Sequence, residues 1–415
     1  MVGGSALDLG TIMLDKYLQP KPALLFVLLM AAIQYLMYCK LLFWPSEAFT
    51  YAGDFVVFWP AAKAILDGNM ISLYIGDGMH DAMLHYRPEG ALERLTWQYP
   101  PHAGLIFSPI GLLPFPVAYL AWFALGVAAL AGSLIVANVD RRALIALLLT
   151  TPIFLALITG QIALFITSLM VLAVFWAKSR PILAGLAAGL LTIKPQLGIF
   201  LPLVFIAGGH WRAFASAAVF SLTLWLGSVA LLGVDAWIAF FERIGLVSDM
   251  VSEGVMPYHK MLNIYAASNF ALLPQAVAYG ITAIAAIAAA VAVFWTSRKT
   301  DDPRWRYAVL ATATLLVTPY SWYYELALVL PAVWFALEHG YRNGWLDYER
   351  ESVAILFALS VSLPGPELTA GVSVPFLVMI AVSVIVGRRV KFELIQSSDK
   401  SAGKSGLSVG TLQEA

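Results

Sequence analysis

Apolar stretches follow one another from residue 23 to residue 386, and the segments between them carry most of the charge. That succession constrains the fold more than any motif. A chain with so little polar surface must bury itself in lipid, where each backbone amide has to be satisfied within the protein. Only 12% of residues are charged and the mean hydropathy is +0.80, against roughly 25% charged in soluble domains. The expected class is an all-α polytopic membrane protein. Basic and acidic side chains balance at 25 each, so net charge suggests no nucleic-acid partner. Cys39, the single cysteine, lies inside the first apolar stretch, which excludes disulfides and thiolate metal sites. The N-terminus carries Asp8 and Asp15 and lacks a small-residue cleavage site after its apolar run, which predicts an uncleaved first span.

The pattern predicts about twelve membrane segments: 23–43, 114–139, 143–159, 162–177, 183–193, 197–208, 214–233, 276–296, 307–318, 323–337, 352–363 and 372–386. Segments 183–193 and 197–208 are each too short to span and read as half-length or tilted helices broken at Pro195. Two larger loops, about 45–113 and 234–269, then fall on the outer side. The basic residues from Arg141 and Arg142 to Arg388, Arg389 and Lys391 fall inside with both termini, as the positive-inside rule asks. Residues 1–396 read as one transmembrane domain, and 397–415, rich in Ser, Gly and Lys, as a disordered cytoplasmic tail.

Chemistry is expected in the first loop. Phe55, Phe58, Trp59, Ala62, Ile65 and Leu66 share one face of a helix, which predicts an interfacial helix lying aromatic side down. Asp54 stands at its start, where it reads as an N-cap, as a general base of fixed orientation, or as both. Lys194, between two apolar half-helices, needs either a partner such as a phosphate or a route to the interface by snorkelling. Arg243, His259, Lys260 and Asn263 in the second loop suit an anion, although a solvated loop would look much the same. Glu325 reads equally as a partner of Lys194 or Lys260 and as a catalytic group. Gln161 and Gln196 are polar groups at a hairpin tip and a helix break. Trp59, Trp97, Tyr99 and Trp322 are aromatic residues at depths where sugars stack and where interfacial belts also form. An Asp-x-Asp motif is missing from the outer loops and no phosphate-binding glycine loop occurs. His80 and His85 do not share a helical face, so no cofactor or metal is expected.

The two halves show no similarity of the kind that secondary transporters inherit from repeats. Gly53-Asp54-Phe55, Leu73-Tyr74, Tyr99-Pro100-Pro101, Gly160-Gln161, Ala184-Gly185, Lys194-Pro195-Gln196 and Thr318-Pro319-Tyr320-Ser321-Trp322, taken in order, resemble family 87 glycosyltransferases of the GT-C superfamily. Known members include mycobacterial mannosyltransferases that use polyprenyl-phosphate-mannose. The resemblance implies a GT-C-like bundle with interfacial helices in its outer loops, in the bacterial inner membrane with an extracytoplasmic active site. It further implies that Asp54 matches the family's catalytic acidic residue. A polyprenyl-phosphate-sugar would be the donor, a glycolipid or glycan the acceptor, with membrane lipids as surroundings. Some members carry histidines after the Ser-Trp pair, where this chain has Tyr323 and Tyr324. The chemistry expected is a metal-independent inverting displacement, with Asp54 as base, Lys194, His259 and Lys260 on the donor phosphate, and Trp59, Tyr99, Gln161, Gln196, Asn263, Trp322 and Glu325 around the substrates. The rival readings are a transporter or flippase of lipid-linked sugars, and an envelope polysaccharide ligase or polymerase.

Overall fold

The computed structural model describes Ala32, Leu36, 53–87, 95–253, 256–353, Leu356 and 373–407. Most of the expected first span at 23–43, most of the one at 352–363, and residues 408–415 of the tail lie outside the described residues. No strand is present among the described residues, and extended pairing is confined to one isolated antiparallel bridge between Met261 and Trp322.

The helices that matter to the site are α1 (Phe55–Leu66), α2 (Gly78–Tyr86), α3 (Pro101–Phe107), α4 (Phe115–Val136), α5 (Arg141–Leu148), α6 (Thr151–Ile158), α7 (Ala163–Phe175), α8 (Pro181–Leu190), α9 (Leu201–Ala207) and α10 (Trp211–Leu232). They are followed by α11 (Asp235–Ser252), α12 (Ile264–Phe270), α13 (Gln275–Lys299), α14 (Pro303–Val317), α15 (Leu330–Asn343) and α16 (Val374–Leu407). The last of these continues through residues 397–407 of the expected tail.

Among the described residues only α4, α10 and α13 are long and apolar enough to cross a membrane, with α5 and α6 a fourth span if their 53° bend is counted as one broken helix. This overturns the expected bundle of about twelve spans. Apolar runs in the sequence were equated with continuous helices, and many are not continuous. Leu149 and Thr150 part α5 from α6, which opens with Pro152 in its first turn, and the run at 323–337 begins as a 3-10 turn, Tyr323–Val329. Others are short. The 13 residues of α7 reach about 20 Å, well below a bilayer core of about 30 Å. A helix that is apolar all round is buried either in protein or in lipid, and burial separates the two cases here. Helix α14 is buried from Trp305 to Leu315 and again at Val317, whereas α10 buries only Ala213 and Ser228. The apolar character of the short helices therefore comes from packing within the protein. Among the described residues, the three apolar spans and the extensive all-α interior are those of a membrane-associated protein.

The interfacial helix is corrected on the same ground. Helix α1 buries Val56, Val57, Ala61 and Ala64 as well as its aromatic face, leaving Leu66 as its exposed apolar residue. It is a core helix. Phe55 meets Phe115, Tyr119 and Trp122 at ring distances of 5.4–5.8 Å, and Phe58 meets Tyr99, Phe107 and Trp122 at 5.2–5.4 Å. Further along the chain, α8 crosses α10 so closely that a Cβ on Gly185 would stand 2.4 Å from Ser216 Cβ, and one on Gly189 2.7 Å from Phe220 Cβ. Small residues at this spacing let two helix backbones approach within a membrane, and the crossing fixes the stem from which the Lys194 loop emerges.

Candidate active site

The site begins at a crowded left-handed turn that favours glycine. Gly53 has φ +47°, and a Cβ there would lie 2.6 Å from Thr159 Cα and 2.8 Å from the Ile158 carbonyl. This close approach brings the start of α1 onto the tip of the α6–α7 hairpin. The Asp54 amide donates to the Thr159 carbonyl at 2.7 Å, Gly160 turns the chain with φ +63°, and the Trp122 indole donates to the Gly160 carbonyl at 3.0 Å. Asp54 occupies the N-cap position, yet its side chain makes no capping bond. Its Oδ2 accepts instead from Gln161 Nε2. The Gln161 Oε1 receives the Tyr99 hydroxyl at 3.4 Å, and the Tyr74 hydroxyl holds the Tyr99 carbonyl at 2.7 Å. Three segments remote in sequence thus meet at one half-buried carboxylate.

The second cluster forms where Pro195 breaks the chain. Lys194 sits at φ −138°, ψ 72° between the 3-10 turns Leu191–Ile193 and Pro195–Leu197. Its ammonium pairs with Glu325 Oε1, the two side chains being 7% and 0% exposed, and lies 5.6 Å from the Tyr324 ring. The other carboxylate oxygen, Oε2, takes the Trp322 amide at 2.9 Å. Lys194 has therefore neither snorkelled nor been left alone, and Glu325 is its buried partner. The Thr318 hydroxyl clasps the Gln196 carbonyl at 3.1 Å, which holds the Lys194 loop against the turn at 318–322.

The second loop is stitched to that same turn. Met261 bridges to Trp322, the Leu262 amide donates to the Ser321 carbonyl at 3.0 Å, and Asn263 Nδ2 reaches Ser321 Oγ at 3.3 Å. Asn263 is fully buried and caps α12, its Oδ1 accepting from the Ala266 amide. Half-buried His259 and Lys260 follow in the turn Tyr258–Lys260, one residue from the bridge. Arg243 does not join them: its guanidinium is buried and holds the Tyr74 and Gly76 carbonyls. Trp59 is likewise a wall residue, with its indole N–H on the Leu113 carbonyl and its ring edge-on to Phe115 at 5.5 Å.

Tyrosines join the two clusters. Burial, then the Asp54 and Glu325 carboxylates, hold the Tyr99 hydroxyl well above the usual phenol range. Burial raises Tyr320 as well, with the same two carboxylates contributing and hydrogen bonds to Gln98 and Trp322 opposing. Burial and Asp54 push Tyr323 up to about 12. Asp54 is thus felt by all three phenols and Glu325 by Tyr99 and Tyr320, and the Tyr99 hydroxyl serves as a hydrogen-bond donor. Among the described residues no group of three or more His, Cys, Asp or Glu is placed to hold a metal ion.

Two participants escaped sequence reasoning. Tyr320 lies within the Thr-Pro-Tyr-Ser-Trp run, where its sequence context marks only a turn. His102 is buried, meets Thr192 Oγ1 through Nε2 at 3.1 Å, and stacks on Trp237 at 5.6 Å. Nothing local announced that contact; Thr192 lies 90 residues away.

The family model for glycosyltransferase family 87 matches residues 97–319. Gln161 and Lys194 fall inside that match, while Asp54 and Glu325 lie outside it. A polyprenol-phosphate-mannose-dependent alpha-(1-2)-phosphatidylinositol mannoside mannosyltransferase of Mycobacterium tuberculosis is 26% identical over 338 residues, covering 74% of this chain and 73% of that protein. A polyprenol-phosphate-mannose-dependent alpha-(1-2)-phosphatidylinositol pentamannoside mannosyltransferase of Mycolicibacterium smegmatis is 32% identical over 171 residues, covering 36% of this chain and 39% of that one. No solved structure matches the chain.

Proposed function

The chain belongs to glycosyltransferase family 87, and from that premise we propose that it moves a hexose from a polyprenyl-phosphate carrier to a hydroxyl of a glycolipid or glycan, with Asp54 as the general base. The observation that carries this reading is the state of the Asp54 carboxylate: it sits at a helix start without capping it, and is held by a side chain from another segment. A cap would spend its oxygens on the helix. A base needs them aimed outward.

The acceptor oxygen attacks the anomeric carbon and gives its proton to Asp54. The bond from that carbon to the phosphate oxygen breaks, and polyprenyl phosphate departs with the additional negative charge. Cationic donors that meet this charge lower the barrier. Lys194 is the buried candidate. Its ammonium has three N–H donors, one of which goes to Glu325, leaving two for a phosphate. Lys260 and His259, carried beside Trp322 by the Met261 bridge, supply a second positive group. The relatives' dependence on polyprenol-phosphate-mannose supports this donor class, with mannose as the first sugar to test.

The same reading puts the site on the extracytoplasmic side of the bacterial inner membrane. Helix α4 runs from Phe115, packed on Phe55, toward Arg141 and Arg142, and α13 ends at Arg298 and Lys299. Basic residues at the ends remote from the site favour a cytoplasmic location for those ends. The test uses purified protein in vesicles with a radiolabelled polyprenyl-phosphate-hexose and an acceptor lipid extract. Label should pass to the acceptor fraction as polyprenyl phosphate is released. Label that changes leaflet on an intact donor would identify a flippase instead.

A further inference from the structure

Gln161 bonds to Asp54 across a junction that the backbone already ties together. The backbones on both sides are already tied, through the Asp54 amide on the Thr159 carbonyl and the Trp122 indole on the Gly160 carbonyl. The side-chain bond therefore spans two fixed points. A glutamine amide has an accepting end and a donating end, and which end faces a carboxylate decides between attraction and repulsion. The Tyr99 hydroxyl resolves that choice. It stays protonated under burial and the nearby carboxylates, so it offers a proton to Gln161 Oε1. The Nε2 end is then turned toward Asp54 Oδ2.

We propose that Gln161 is a positioning residue for the Asp54 base, and that Tyr99 acts through Gln161 by fixing the orientation of its amide. This rests on the reading of Asp54 as the base. A donor on one carboxylate oxygen favours the ionised form and restricts rotation of the side chain, so the carboxylate is ready and aimed before the acceptor arrives. Gln161 is in this account no sugar contact. Its removal should slow the chemical step and leave donor binding alone.

The test compares the full-length wild type with Gln161→Met, Gln161→Asn, Tyr99→Phe and the Gln161→Met/Tyr99→Phe double variant. Donor KM, kcat and the pH profile of kcat/KM are read after thermal unfolding has established that each protein is folded. A hydrogen bond to a charged group is worth enough that its loss should lower kcat by roughly ten- to a hundredfold in Gln161→Met, with donor KM within about twofold of wild type. The acidic limb of the profile should move up by about one pH unit, because the carboxylate has lost a donor that favoured its charge. Tyr99→Phe should move in the same direction by less. The double variant should be no worse than Gln161→Met if Tyr99 acts on Asp54 through the amide. If Gln161→Met does not fold, Gln161→Asn, which keeps the amide but falls one methylene short, should show the same limb shift.

A raised KM with kcat and the acidic limb unchanged would overturn the proposal and make Gln161 a substrate contact. Additive losses in the double variant would overturn the role given to Tyr99. Asp54→Asn in the same preparation separates the two layers of argument. If it abolishes turnover while the Gln161 variants keep the wild-type profile, only the positioning role fails. If it retains turnover, the reading of Asp54 itself is at fault.

Discussion

Replacing Gly53 by alanine tests whether the approach of α1 to the hairpin tip is what holds Asp54 in place. The perturbation is one methyl group in a backbone at φ +47°, with Thr159 Cα 2.6 Å and the Ile158 carbonyl 2.8 Å from where it would stand. The left-handed conformation costs an L-residue about 1–2 kcal/mol. The methyl meets backbone on the hairpin side, which cannot rotate away, and overpacking of that kind costs roughly 1–3 kcal/mol more. The sum is about 2–5 kcal/mol, or else a shift of α1 that carries Asp54 with it. Displacement by about 1 Å can cost on the order of 10² in rate. Gly68→Ala is the control, because Gly68 also has positive φ, at +78°, but nothing lies within 4 Å of a Cβ there. Thermal unfolding in detergent and glycosyl transfer should therefore show Gly53→Ala destabilised beyond Gly68→Ala and slowed about a hundredfold, with Gly68→Ala near normal in turnover. Equal stability losses in the two variants, or normal turnover in Gly53→Ala, would show that the close approach does not hold the site.

Lys194→Met alone should destabilise the protein by roughly 3–5 kcal/mol, because it strands the Glu325 carboxylate in the interior. The Lys194→Met/Glu325→Met double variant should recover most of that loss in thermal unfolding while remaining without activity; a double variant less stable than the single one would refute the pairing. Acid sensitivity follows from His102, whose burial holds its pKa below the ordinary value of 6.5. The folded protein resists a proton that the unfolded chain accepts, so this contribution is fully present above about pH 6.5 and lost as pH falls toward the lowered folded-state value. His102→Gln should reduce the drop in unfolding temperature between pH 7.5 and pH 5.5, and an unchanged drop would remove His102 from the account.

Local features were the legible part of the site. Gly53 before Asp54 announced a helix start, Gly160-Gln161 a hairpin tip, and Pro195 a break that leaves Lys194 outside helical geometry, all of which are backbone properties of a few neighbouring residues. The partners of those residues were not legible. Gln161 lies 107 residues from Asp54 and Glu325 lies 131 from Lys194, and the sequence offered Lys194 a phosphate, the interface or Glu325 without a way to choose. Asn263 and Trp59 looked like substrate contacts because a polar or aromatic side chain in a loop has the same composition whether it caps a helix, packs a core or meets a sugar. The largest misreading was of the spans. Hydropathy reports that a segment avoids water, and α7 and α14 avoid it inside protein, while α10 and α13 avoid it with their surfaces outside. Length and continuity of the helix distinguish these cases, and the breaks at Leu149–Thr150 and in the Tyr323–Val329 turn become apparent only once the chain is folded.

The central claim is that the Asp54 carboxylate is a base, and its most direct test is the rate of glycosyl transfer by Asp54→Asn measured beside its thermal stability. Asparagine keeps the size of the side chain and can face Gln161, but its amide does not take up the acceptor proton. Base catalysis is commonly worth about 10²- to 10⁴-fold. The account predicts a loss of turnover in that range with the unfolding temperature near wild type. Near-normal turnover in a stable Asp54→Asn protein would contradict it.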